Sequence, residues 1–179
     1  MTARHRLAPL PLQAGEAVRR MPFWALALVA ILTLNALGGG SALIGDPPPA
    51  NAWYQGLNLP PWQPPGWAFG LAWTLLYSLL GFILARLLAA APGANQRRAL
   101  GLFAAQFALN LVWSPLFFAA RAIAPALALL ALLLGVAVAA TLAIGRVDRR
   151  LAWAMVPYLA WLSYALVLNW RLLLLNPGA

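Results

Sequence analysis

Charges in this chain are few and clustered, and they leave five uncharged stretches: Met21 to Gly45, Pro47 to Ala85, Ala99 to Ala120, Ala122 to Gly145 and Leu151 to Trp170. Crossing roughly 30 Å of hydrocarbon at about 1.5 Å per residue takes about 20 apolar residues, so four of the stretches hold one spanning helix each. The second is too long for one helix. Its first part, 47–65, carries seven prolines together with Asn51, Gln55, Asn58 and Gln63, and a lipid-exposed span tolerates neither the broken backbone ladder nor so many amides. From Gly66 onward the sequence can span. With 64% hydrophobic and 8% charged residues, against about a quarter charged in soluble domains, a water-soluble globule is excluded. The expected fold is all-α: a polytopic membrane protein with five transmembrane helices in one bundle. The spans are placed at 23–44, 66–90, 98–120, 124–145 and 151–174, in a domain of 23–175. A basic tail, 1–22, precedes it, and a long Pro- and Trp-rich loop, 46–65, joins the first two spans.

All 12 basic residues are arginine. Arg4, Arg6, Arg19 and Arg20 lie in the tail, Arg86, Arg97 and Arg98 around the second connection, and Arg146, Arg149 and Arg150 in the fourth. Only Arg121 and Arg171 fall on the other side, and the long loop has no basic residue. The positive-inside rule therefore predicts a cytoplasmic amino terminus, and helical spans predict a bacterial inner membrane. A competing reading takes Arg19, Arg20, the apolar run after them and the small residues Gly38 to Ala42 as a cleavable secretory signal, although the run is nearer a full span than a signal core.

Catalytic machinery is missing from the sequence. There is no cysteine, the single histidine, His5, sits in the tail, and the acids Glu16, Asp46 and Asp148 all fall outside the spans. Hydrolytic, phosphoryl-transfer and metal chemistry have no residue set here, so no catalytic or metal site and no required cofactor are expected. Ion-coupled transport through a buried carboxylate is disfavoured on the same ground. Expected partners are membrane lipid and a hydrophobic small molecule, with no nucleic acid.

Polar and aromatic residues inside the spans point to a site. Trp73 and Tyr77, at i, i+4, share a face deep in the second span, with Gly70 and Gly81 on nearby turns. Gln106, Asn110 and Trp113 form a stripe on the third span, and an embedded amide must face protein or ligand. Pro157, Trp161 and Asn169 repeat the pattern on the fifth, beside Tyr158 and Tyr164. Trp24, Trp67, Trp153 and Trp170 lie near span ends, as interfacial belts do. On the fourth span Gly135, Ala139 and Ala143 repeat at four-residue spacing, which suits either close packing within the bundle or a homodimer seam.

The run Trp53-Tyr54-x-x-Leu57-x-x-Pro60-x-Trp62-x-Pro64-Pro65-x-Trp67, continuing to Trp73-x-x-x-Tyr77-x-x-x-Gly81, resembles the tryptophan-rich sensory protein and translocator protein family, the peripheral-type benzodiazepine receptors. Gln106-x-x-Leu109-Asn110-x-x-Trp113-x-Pro115-x-Phe117-Phe118 resembles the family's third helix, and Pro157-Tyr158-x-x-Trp161 with Leu168-Asn169 its fifth. The resemblance covers about 51–171. It implies a five-helix homodimer whose pocket binds porphyrins, above all protoporphyrin IX, and benzodiazepine-type ligands. The positions it implies for ligand binding are Tyr54, Pro64, Trp73, Tyr77, Asn110, Trp113 and Trp161. Trp73 and Trp161 match tryptophans linked in bacterial relatives to light-dependent porphyrin breakdown.

The sequence also departs from the family. Leu59 replaces the usual lysine before the first loop proline, Leu71 replaces a proline, and Pro125 replaces a fourth-helix tryptophan. Trp170 stands before Arg171 where a sterol motif needs a tyrosine, which disfavours sterol binding. The bottom-up chemistry agrees with a tetrapyrrole: indole and phenol rings offer stacking area at little entropic cost, and the spans lack the usual axial ligands for haem iron. The expected function is a membrane receptor or sensor for protoporphyrin IX-like tetrapyrroles. The alternatives are a passive transporter of porphyrin or another hydrophobic ligand, and a sterol- or lipid-binding protein.

Overall fold

The computed structural model describes residues 21–46 and 50–178. The expectations for Arg4, His5, Arg6, Glu16, Arg19 and Arg20 lie outside the described residues. In chain order the elements are α1 (Phe23–Leu43), α2 (Ala52–Gln55), α3 (Gly66–Ala89), α4 (Ala94–Ser114) continued by a π-helical turn (Pro115–Ala119), α5 (Ile123–Gly145), α6 (Arg149–Ala154) and α7 (Val156–Leu175). Five of the resulting segments are long and apolar enough to cross a membrane: α1, α3, α4 with its π turn, α5, and α6 with α7.

Three local features refine the expected boundaries, each with a physical cause. The loop is not wholly irregular: Asn51 caps α2 by accepting the Tyr54 N–H at 2.9 Å. The third span begins earlier than expected, at Ala94, where the Gln96 amide donates to the Leu87 carbonyl at 3.0 Å and closes the end of α3. Proline shapes the third and fifth spans. Pro115 opens a π turn closed by the Ala120 N–H on its carbonyl at 3.0 Å, and Pro157, lacking an N–H, follows the break at Met155 between α6 and α7.

Packing is closest between α1 and α3, α4 and α5, and α5 and α7. Gly81 belongs to the first of these contacts rather than to a cavity wall. A Cβ there would lie 2.5 Å from the Ile31 Cα, so only glycine permits the crossing. Nearer the loop, Gly38 leaves the space that the Tyr77 ring fills, and a Cβ on it would meet that ring at 2.1 Å. Beyond this point α1 turns toward α4. The Ser41 hydroxyl donates to the Leu111 carbonyl, and Gly45, at φ +109, places its own missing Cβ 2.5 Å from the Ala119 nitrogen. The far end of α1 is thus tied to α4, and room opens inside the bundle.

On α5 the inward face is Ala126, Leu130, Leu133, Ala137 and Ala140. Of the small-residue stripe on this helix, Ala143 is buried, but Gly135 faces outward with nothing near it. Internal packing therefore does not account for Gly135. The Arg-rich end is held together by Arg86, which lies 3.7 Å from the Asp148 carboxylate and 5.6 Å from the centre of the Phe23 ring. These contacts bring the start of the first span, the end of the second and the fourth connection to one end of the bundle. Trp24, Trp67, Trp153 and Trp170 are all exposed.

Candidate functional site

Between α1, α3, α4 and α7 lies a cavity of about 370 Å³, within the roughly 300–1,000 Å³ range of small-molecule sites. Asn35, Gly38, Gly39 and Ser41 of α1 form one wall, and Phe69, Gly70, Trp73, Thr74 and Tyr77 of α3 the next. Asn110, Trp113 and Ser114 of α4, with Phe117 and Phe118 of the π turn, close the back, while Trp161, Leu168, Asn169 and Leu172 of α7 complete it. Among the described residues, none in the lining is charged.

Aromatic contacts set the shape. Trp73 stacks on Tyr77 at 5.1 Å and 26°, and Trp161 meets Trp73 edge-on at 6.3 Å and 85°. In the same lining Trp113 stacks on Phe117 at 5.1 Å and 16°. The π turn makes this second stack by widening the helix where two successive phenylalanines follow Pro115.

Behind the rings runs a buried polar chain. The Tyr77 hydroxyl donates to Asn110 Oδ1 at 2.7 Å, the Asn110 amide donates to the Tyr158 hydroxyl at 3.4 Å, and that hydroxyl donates to Gln106 Oε1 at 2.6 Å. Gln106 and Asn110 thus divide the two roles open to an embedded amide. Gln106 lies behind the cavity and bonds Tyr158 through its oxygen, its Nε2 having no partner among the described residues, while Asn110 both holds Tyr77 and lines the cavity. On the opposite wall Asn35 donates to Ser78 Oγ at 3.2 Å and to the Ile31 carbonyl at 3.0 Å.

The loop forms the roof. Tyr54 faces the cavity with its ring 5.5 Å from Phe118, and the Gln63 amide donates to its hydroxyl at 2.6 Å. Burial pushes the Tyr54 phenol above its ordinary pKa, with the Gln63 bond acting the other way, so the group stays protonated. A reciprocal amide pair fastens the roof: the Asn58 N–H donates to Asn176 Oδ1 at 2.8 Å, and the Asn176 amide returns to the Asn58 carbonyl at 3.1 Å. Asn176→Ala removes both bonds. Hydrogen exchange at the Asn58 amide should then rise about tenfold, as expected for losing a net 1–1.5 kcal/mol, with the transmembrane amides unchanged.

Six of the seven positions singled out in the sequence, Tyr54, Trp73, Tyr77, Asn110, Trp113 and Trp161, line this one cavity. Pro64 does not. It is half-buried in the loop, and its neighbours Gln63, turned toward Tyr54, and Gly66, in the wall, face inward instead. Asn35 and Ser114 were missed. A lone amide in the apolar first span carries the signal that marks Gln106 and Asn110, whereas nothing in the sequence separates Ser114 from an outward serine.

Comparison with known proteins follows the same residues. The model of the TspO/MBR family matches residues 22–175. The chain belongs to that family. It is 40% identical over 154 residues to the tryptophan-rich sensory protein of Cereibacter sphaeroides, covering 86% of this chain and 92% of the relative. It is also 40% identical over 124 residues to the human translocator protein, covering 66% and 73%. The protein CrtK of Rhodobacter capsulatus is 36% identical over 145 residues, covering 80% and 88%. With five apolar spans and this membership, the chain is an integral membrane protein.

Proposed function

We propose that the cavity is a receptor site for a flat tetrapyrrole of the protoporphyrin IX type, in a protein whose amino terminus faces the cytoplasm of a bacterial inner membrane. The observation that carries the reading is the pair of aromatic stacks in the lining of one cavity, Trp73 on Tyr77 and Trp113 on Phe117, with Trp161 edge-on to Trp73. Such walls suit a planar conjugated ring, which gains stacking and loses apolar contact with lipid at little entropic cost. The names of the relatives support a sensory or translocating role: a tryptophan-rich sensory protein and a translocator protein. The orientation rests on Arg86, Arg97, Arg98, Arg146, Arg149 and Arg150, which share one end with the start of α1. Coupling to an ion gradient is not part of the proposal. Among the described residues the acids Asp46 and Asp148 both lie outside the spans.

Titration with protoporphyrin IX should quench tryptophan fluorescence at micromolar ligand. Trp73→Phe and Trp161→Phe should each weaken binding several-fold, because the smaller ring loses stacking area worth roughly 0.5–1.5 kcal/mol. Absence of quenching in the unaltered protein refutes the reading. Product spectra taken in light and in darkness would separate simple binding from breakdown of the bound porphyrin.

A further inference from the structure

Asn169 is 2% exposed and stands in the cavity wall. Its Nδ2 donates to the Ile123 carbonyl at 3.1 Å, which fixes the direction of the amide and ties α7 to the start of α5. Its Oδ1 has no partner among the described residues. A second wall residue is in the complementary state: Trp113, stacked on Phe117, has an indole N–H without an acceptor among the described residues. Among the described residues the cavity therefore carries one unpaired acceptor on α7 and one unpaired donor on α4, inside a span where water is scarce. Buried polar groups left unpaired are costly and are normally satisfied by something.

Charge narrows what can satisfy them. With no cation among the described lining residues, a carboxylate entering the cavity would be desolvated without a counter-charge from them, and it would bring a second acceptor to Asn169. The N–H groups of a closed porphyrin point to the centre of the ring, away from any wall. A lactam differs from both: it is neutral, its N–H is a donor at the rim of the molecule, and its carbonyl is an acceptor.

Resting on the reading of the cavity as a tetrapyrrole site, we propose that Asn169 is a specificity-determining residue that accepts a hydrogen bond from an uncharged lactam N–H of the ligand, while Trp113 donates to the lactam carbonyl. The ligand class selected is an open-chain pyrrole lactam. A closed porphyrin bound by stacking leaves both atoms unpaired.

The test uses the full-length protein in nanodiscs and two probes, a dipyrrinone methyl ester with its lactam N–H and the same compound methylated on that nitrogen. Both are uncharged, and both keep the carbonyl. Read by tryptophan quenching, the unaltered protein should bind the N–H compound about tenfold more tightly, the usual consequence of leaving one buried acceptor unpaired. Asn169→Leu should bring the two affinities together by weakening the N–H compound alone, an outcome that loss of the Ile123 tether would not produce. Trp113→Phe should weaken both compounds and keep the preference for N–H. Equal binding of the two probes by the unaltered protein overturns the proposal without recourse to any variant, and so does a preference that persists in Asn169→Leu. If protoporphyrin IX quenches and neither dipyrrinone does, the inference falls and the tetrapyrrole reading stands. If none of the three quenches, both fall.

Discussion

Alanine at Gly81 should lower the stability of this protein by roughly 1–3 kcal/mol, the usual range for overpacking a tight contact. The added Cβ would lie 2.5 Å from the Ile31 Cα and 2.7 Å from its nitrogen. Those are backbone atoms, so no side-chain rotation relieves the overlap, and α1 and α3 must separate. Gly39 is the control. It sits on the same helix pair with nothing within 4 Å of its missing Cβ, so Gly39→Ala should leave stability unchanged or slightly raised. Thermal unfolding of the two variants in one detergent makes the comparison, and equal midpoints would refute the assignment of Gly81 to the helix crossing. Gly38→Ala lies between them. Its Cβ would strike the Tyr77 ring, a side chain that can swing away, but only by giving up its stack on Trp73 and its bond to Asn110.

Asn110→Leu should have the largest effect on the cavity itself. The change strands the Tyr77 hydroxyl, removes a donor from Tyr158 and puts an apolar branch where an amide faced the ligand. Embedded hydrogen bonds average about 0.6 kcal/mol and reach roughly 1.7, so losing two should cost about 1–3 kcal/mol of stability. Ligand affinity should fall about tenfold as Tyr77 loses its anchor. The asymmetry of hydrogen-bond loss supplies the check: removing both partners is milder than stranding one. Asn110→Leu combined with Tyr77→Phe should therefore be more stable than Asn110→Leu alone. A double variant that is simply the sum of the two single ones would show that the Tyr77–Asn110 bond carries no coupling.

Several parts of the site were legible in the sequence because lipid makes polarity conspicuous. An amide or an indole among leucines and alanines has to face something other than hydrocarbon, and this singled out Trp73, Tyr77, Asn110, Trp113 and Trp161 before any coordinates. Gln106 carried the same signal and yet does not line the cavity; its oxygen is taken by Tyr158. Composition cannot tell these cases apart. Glycines were equally ambiguous: Gly70 lines the cavity, Gly81 a helix crossing and Gly135 the outside. Pro64 lay in the right segment, but which residues of a loop turn inward depends on its anchors, here Asn51, Gln63 and Asn58 with Asn176.

The number of spans, their approximate limits and the grouping of the arginines at one end were determined by the sequence alone, because solubility in hydrocarbon is decided segment by segment. Rotation of each helix about its own axis was only sketched, by the polar and aromatic stripes of the second, third and fifth spans, since faces that are otherwise apolar on every side offer no hydrophobic contrast to orient them. Only the tertiary structure settled that rotation. It did so through a few specific contacts: Gly81 against Ile31, Tyr77 in the space left by Gly38, Ser41 on the Leu111 carbonyl, and the polar chain from Tyr77 to Gln106. Those contacts turn the aromatic rings toward one another and leave Asn169 and Trp113 facing the same cavity with one hydrogen-bonding atom each unpaired.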